Sequence, residues 1–196
     1  MSLRSKAGPS CSSSSTVSDM RAARSLPSLT MACASIASAC VWTLAHAQVD
    51  LYSLEAAYVY NFTQFTQWPA AHTSDPLAVC VNPRTELGAA LAKLDGRTVS
   101  GRAWHVQPVP EGAAIAACNV LIIEDAASNA ASKSASARDV PILVIRAAEA
   151  DAGDGPSIVT LVRDGERLRF DIDNKEAARR RVALSSKLLR LARNVT

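Results

Sequence analysis

Apolar positions recur at helical period through the stretch LYSLEAAYVYNFTQFTQWP, residues 51–69. Leu51, Tyr58, Phe62 and Phe65 share one side with Glu55, and Leu54, Asn61 and Trp68 lie beside them. The spacing predicts an amphipathic helix whose apolar stripe is interrupted at Glu55. Pro69 is expected to end it, because proline pushes the preceding residue out of the helical region. Downstream the pattern changes to short apolar runs. Residues 77–81, 119–123 and 141–145 read as strands buried on both faces. Between and beside them, residues 86–94 place Leu87, Ala90, Leu91 and Leu94 on one helical face, stopped by Asp95-Gly96. Residues 102–109 alternate as a half-buried strand, with Ala103, His105 and Gln107 against Trp104, Val106 and Pro108. Residues 113–117 form a short Ala-rich segment, and residues 126–138 an Ala/Ser-rich surface helix.

Toward the end, runs at 158–162 and 168–172 flank Asp164-Gly165, a strong hairpin signal. Asp173 is placed to cap the next helix, with Glu176 three residues on. The chain closes in helical sequence, with Leu184, Leu188 and Leu191 on one face. Buried strands separated by helices predict one α/β domain. Its sheet is covered by helices on both faces, and a C-terminal β-hairpin and helix extend it.

Ahead of this domain, Arg21 and Arg24 precede an apolar segment at 29–44 and the A-x-A triplet Ala45-His46-Ala47. That is the form of a secretory signal peptide cut after Ala47, giving a leader at 1–47 and a domain at 48–196. The serines at 12–15 fit no leader region, which leaves Met20 as a second candidate start. The apolar run is short and diluted with Ser and Cys for a membrane anchor. Cys40 follows Ala37-Ser38-Ala39, a weaker match to a lipidation site. Export to the periplasm is the expectation.

Removing the leader changes the charge balance. Of 21 basic and 18 acidic residues, four basic (Arg4, Lys6, Arg21, Arg24) and one acidic (Asp19) precede residue 48, leaving 17 of each. A near-neutral domain gives no reason to expect a nucleic-acid partner. Of the five cysteines, only Cys80 and Cys118 lie beyond the leader. In an exported domain they predict one disulfide, two buried free thiols being the alternative.

Motifs for catalysis are missing. His72 and His105 have no His or Cys at metal-ligand spacing, so neither a metal nor a cofactor is expected. Ser185-Ser186 lacks a nucleophile elbow. Gly153-x-Gly155 precedes a strand and does not fit a dinucleotide fingerprint. Arg179-Arg180-Arg181 follows Asp171, Asp173 and Glu176 and reads as a solvated helix face with local pairing, or as a contact for an anionic partner. The balance points to a binding protein, not an enzyme.

LEAAYVYNFTQFTQWP near the start of the domain and RLRFDIDNKEAARRRVALSSKLLRLA at its end, with Cys80 after one strand and Cys118 before another, resemble the YfiR family. The resemblance covers essentially the whole domain. It implies a small periplasmic α/β protein that represses an inner-membrane diguanylate cyclase by engaging the cyclase's periplasmic sensor domain, and so lowers cytoplasmic cyclic di-GMP. It also implies a homodimer. The sequence departs from the family pattern in places. Glu55 stands where many relatives carry Lys, Asp154-Gly155-Pro156 where a Gly-Gly pair is common, and Asp173 where Asn is usual. Arg181 stands where relatives often have Gly, which predicts a less broken C-terminal helix. Candidate partner contacts are Leu188, Leu191, Arg179 and Arg180. The alternative is a small-ligand module with a cleft at the strand ends lined by Arg102, Trp104 and Arg169.

Overall fold

The computed structural model describes residues 50–73, 75–151 and 153–196. Three central strands each feed two cores. Along β2 (Leu77–Cys80), β5 (Val120–Ile123) and β6 (Leu143–Arg146), successive side chains point to opposite faces. Val79, Val120, Ile122, Leu143 and Ile145 pack into one core with Val59, Phe62, Leu87 and Leu91. Cys80, Leu121, Ile123 and Val144 pack into the other with Ile115, Cys118 and Ala135. Neither face is wet, which is why these runs are apolar until Arg146 closes β6.

Helix α1 (Leu51–Gln64) and helix α2 (Glu86–Ala92) cover the first core, and α3 (Ala126–Ala137) covers the second. Asp50, Thr85 and Asp125 cap them, each side chain accepting from the backbone amide three residues on. The remaining strands are β1 (Thr66–Gln67), β3 (Thr98–Val99), β4 (Arg102–Gln107), β7 (Val159–Asp164), β8 (Arg167–Ile172), β9 (Ala183–Leu184) and β10 (Asn194–Val195). Eight strands form one sheet in the order β10-β8-β7-β6-β5-β2-β4-β3, and β1 pairs with β9 in a separate ladder. β4, β2, β5, β6 and β7 run parallel, whereas β3 and β8 run antiparallel at the two flanks. From β2 the chain crosses to β4 on one side and returns to β5 on the other. The carboxyl ends of β2 and β5 therefore part at a topological switch point.

The α/β sheet covered on both faces and the hairpin of β7 and β8 follow the sequence expectation. Cys80 and Cys118 are joined as a disulfide, with Cα atoms 5.9 Å apart in the second core. Three expectations need correction. α1 stops at Gln64, four residues before Trp68, because Thr66 leaves the helix to pair with Leu184. The segment 126–138 is helical, but Ser128, Asn129, Ser132 and Ala135 are buried, so it is no mere surface helix.

The third correction concerns the C-terminus, which is more broken than predicted. It divides into α4 (Asn174–Arg179), β9, α5 (Ser186–Leu191) and β10. Arg181 causes the first break, holding φ at 57° in the left-handed region that a side chain disfavours. Its guanidinium donates to the Asp139 carbonyl at 3.1 Å, one bond that helps hold it there. The leader, its cleavage site and Cys40 lie outside the described residues.

Candidate functional site

Two features flank α1. The first is an apolar groove of about 920 Å³ between α1, the β7–β8 hairpin and α5. Its floor is aromatic. Phe62 and Phe170 meet edge-on at 4.9 Å between ring centroids, and Tyr58 lies within 6.1 Å of Phe170. The Tyr58 hydroxyl donates to the Leu168 carbonyl at 3.2 Å, tying helix to hairpin. Such clusters contribute beyond area burial because ring edges meet ring faces.

The rim carries the exposed apolar groups. Phe65 at the end of α1 is 36% exposed and Leu191 at the end of α5 is 70% exposed. Both line the groove, as do Asn61, Glu166, Arg167 and Arg169. Among the described residues, the only other large exposed hydrophobic side chain is Val195 on β10. An apolar concavity edged by guanidinium groups has the make-up of a protein-recognition surface: an apolar centre and a charged rim.

The second feature is a small acidic cleft of about 180 Å³ at the switch-point end of the sheet, lined by Tyr52, Glu55, Thr85, Glu86, Glu124 and Glu149. Glu55 points inward from α1 and is only 1% exposed. Its Oε1 accepts from the Ala148 amide at 3.3 Å. Burial pushes its carboxyl up to about 7, against that hydrogen bond, with Glu124 and Glu149 adding repulsion. Glu124 follows β5 and accepts from the Thr85 hydroxyl at 2.9 Å. Burial likewise raises it to about 7, and Asp125 adds repulsion. Gly88 allows α2 to start this close to β2: a Cβ there would lie 2.1 Å from the Asn82 carbonyl oxygen.

The candidate contact residues separate in the structure. Leu188 and Leu191 both line the groove, Leu188 from a buried position and Leu191 from an exposed one. Arg179 and Arg180 do not join them. The Arg180 side chain is fully buried, its Nε donating to Glu176 at 2.6 Å and its Nη2 to the Ser132 carbonyl at 3.2 Å. It is a tie between α4 and α3 and offers nothing to a partner. Arg179 pairs with Glu176 and Asp139 on the surface.

The alternative ligand trio is scattered as well. Trp104 is buried against Tyr60 on β4, and Arg169 pairs with Asp164 on β8, five strands away across the sheet. Arg102 bonds Asn119 and stacks over Trp68 beside a shallow cavity. These three cannot line one cleft. Among the described residues no group of three or more His, Cys, Asp or Glu is arranged to hold a metal ion.

The aromatic end of α1, the Cys80–Cys118 bridge and the capped hairpin-to-helix segment are parts of one architecture, and it has a match. The family model described as YfiR/HmsC-like matches residues 52–193. The chain belongs to the YfiR/HmsC-like family. A comparison with curated proteins finds no match. In this member of the family, the groove draws on both ends of the matched region, α1 and α5. Helical periodicity points to Leu191 as a contact, but places Phe65 only on the apolar stripe of α1, where an aromatic reads as core. Glu166 and Arg167 escaped it, because only the hairpin's position beside α1 brings them to the site. Glu124 escaped too, lying one residue past a strand that looks purely structural.

Proposed function

We propose that this protein is an exported regulator that inhibits an inner-membrane diguanylate cyclase by binding the cyclase's periplasmic sensor domain, thereby lowering cyclic di-GMP. Membership of the YfiR/HmsC-like family supports the pathway. The observation that carries the binding role is the apolar groove with Phe65 and Leu191 exposed at its rim. An exposed patch of this kind on a folded domain is ordinarily covered by a partner. No helix among the described residues is long and apolar enough to cross a membrane. On this reading the domain acts beside the membrane, on a partner that crosses it. The domain inhibits by favouring one of the cyclase's two states, since binding shifts an equilibrium only by differential affinity.

Deletion of the gene, in a strain that expresses a membrane-bound diguanylate cyclase with a periplasmic sensor domain, is expected to raise cyclic di-GMP. Complementation with the wild-type gene restores the low level, and Leu191→Asp or Phe65→Asp fails to. Both substitutions fall on exposed positions, so the purified variants should melt within a few degrees of the wild type. Unchanged cyclic di-GMP on deletion would sink the reading. Full complementation by both variants would remove the groove from it.

A further inference from the structure

Along one side of the groove runs the outer edge of β8. That strand spans Arg167–Ile172, and β10 pairs only with Asp171 and Ile172. Arg167–Phe170 therefore have no strand beside them on that side, and all of them line the groove, as does Glu166 in the turn before them. The Leu168 and Phe170 carbonyls point away from β7. One accepts from the Tyr58 hydroxyl at 3.2 Å and the other from the Arg193 amide at 2.8 Å. In an antiparallel strand the amide of a residue points the same way as its carbonyl, so the Leu168 and Phe170 amides also face outward. Among the described residues neither amide has a hydrogen-bond acceptor. An open strand edge with unpaired amides is a template for another strand.

We propose that the free half of this edge takes an extended segment of the partner, aliphatic and acidic in alternation, as a further strand of the sheet. β10 sets the precedent on the same edge. It pairs beside Asp171 and Ile172, and its neighbour Arg193 meets Asp171 across the two strands, Nε to Oδ1 at 2.9 Å. Cross-strand neighbours of this kind select the side chains of an incoming strand. Leu168 and Phe170 turn into the core beneath α1, whereas Arg167 and Arg169 lie on the opposite, exposed face. Every second residue of an added strand thus lies beside Leu168 and Phe170, where aliphatic groups fit. The others lie beside Arg167 and Arg169, where carboxylates fit. Among the described residues Arg167 has no ion pair. Arg169 has only Asp164 at 3.7 Å, an exposed pair of the kind that contributes little. Glu166 belongs to the turn and lies beyond the strand. The Tyr58 hydroxyl does not close the edge, because a carbonyl oxygen accepts two hydrogen bonds. Main-chain bonds then supply affinity and the alternating side chains specificity. That the segment belongs to a cyclase's sensor domain rests on the function proposed above; the strand-taking edge does not.

The edge is tested with a capped hexapeptide that alternates glutamate and valine, titrated into the isotopically labelled mature protein up to about 1 mM. Amide resonances and their exchange with solvent are followed residue by residue. The Leu168 and Phe170 amides are expected to shift, and their exchange to slow about tenfold at saturation. An isomer with its glutamates in one block and its valines in the other should bind about fivefold more weakly, its side chains being out of register with the edge. Arg167→Glu with Arg169→Glu, both at exposed positions, should lose the alternating peptide and keep the fold. No binding at about 1 mM, equal binding of the isomer, or binding that leaves both amides unprotected would overturn the strand-taking edge. The purified periplasmic domain of a membrane-bound diguanylate cyclase from the same organism is then examined in the same way. Protection of the same two amides supports the assignment of the segment to that domain. Binding without it, as a helix laid in the groove would give, overturns the strand as that partner's mode of docking. No binding by the domain, where the peptide binds, counts against the proposed function and leaves the edge standing. Self-association of the protein alone that protects both amides would make a second copy the occupant and overturn the assignment to a partner.

Discussion

Phe62 on α1 and Phe170 on β8 meet at 4.9 Å with ring planes inclined by 62°, joining residues more than 100 positions apart at the floor of the groove. Both are buried, so their contact ties α1 to the hairpin across the floor of the groove. Phe62→Ala removes a ring that packs on both Tyr58 and Phe170. The expected loss is about 3–5 kcal/mol, the usual cost of an aromatic-to-alanine change in a core. Urea unfolding should show a lower midpoint at an unchanged slope. Phe65→Ala, at the exposed rim, should cost little by the same measurement.

Arg180 gives a sharper test of how α4 is held. Burial pushes the Glu176 carboxyl up, but hydrogen bonds from Arg179 and Arg180 outweigh it and hold it below the usual carboxylate range. A depressed folded value contributes stability that is present above the unfolded value and is lost as pH falls through the folded one. Removing only the buried cation, as in Arg180→Ala, leaves Glu176 with Arg179 as its remaining partner and is expected to cost about 1.5–3 kcal/mol, the usual worth of a hydrogen bond to a charged group. Replacing both, as in Glu176→Leu with Arg180→Met, should recover much of that loss. A double variant no better than the single one, in thermal unfolding at neutral pH, would refute the account.

The disulfide should be measurable as stability. Cys80 and Cys118 are 38 positions apart, and the bridge lies wholly within the second core. Closing a loop of that length contributes about 4 kcal/mol in the chain-entropy model. Intact mass under non-reducing conditions, after alkylation, should show no modified thiol at Cys80 or Cys118. Reduction should lower the denaturation midpoint, and Cys80→Ala with Cys118→Ala should match the reduced protein.

Most of the architecture is legible in the sequence because its central strands are buried on both faces. A run such as Val120-Leu121-Ile122-Ile123 has one structural use, whichever neighbours it finds. The charged C-terminal segment is different. Arg179, Arg180 and Arg181 look alike in the chain, yet one lies on the surface, one is buried and one turns the backbone into the left-handed region. Glu176 is their neighbour within α4, but their separate fates depend also on Ser132 and Asp139, which only the packing of α3 against α4 brings near. Leu188 and Leu191 pose the same difficulty. Helical period puts them on one face, but the break at Arg181 and the ladder between β1 and β9 decide that one is buried and the other exposed. The groove could be named by residue and not by shape.

Glu55 makes the most specific claim about pH. Its folded carboxyl sits at about 7, above the ordinary value of 4.5. The native state therefore holds a proton that the unfolded chain gives up between those values, so stability falls as pH rises through this window and levels off above it. A shift of this size corresponds to about 3 kcal/mol between the limits. Glu55→Gln cannot ionise and keeps the polar shape, so it should be more stable than the wild type near pH 8 and gain little near pH 5. Melting temperature measured across that range checks it. Parallel curves for the two proteins would mean that Glu55 is ionised throughout and that its buried position is stabilised by something other than its proton.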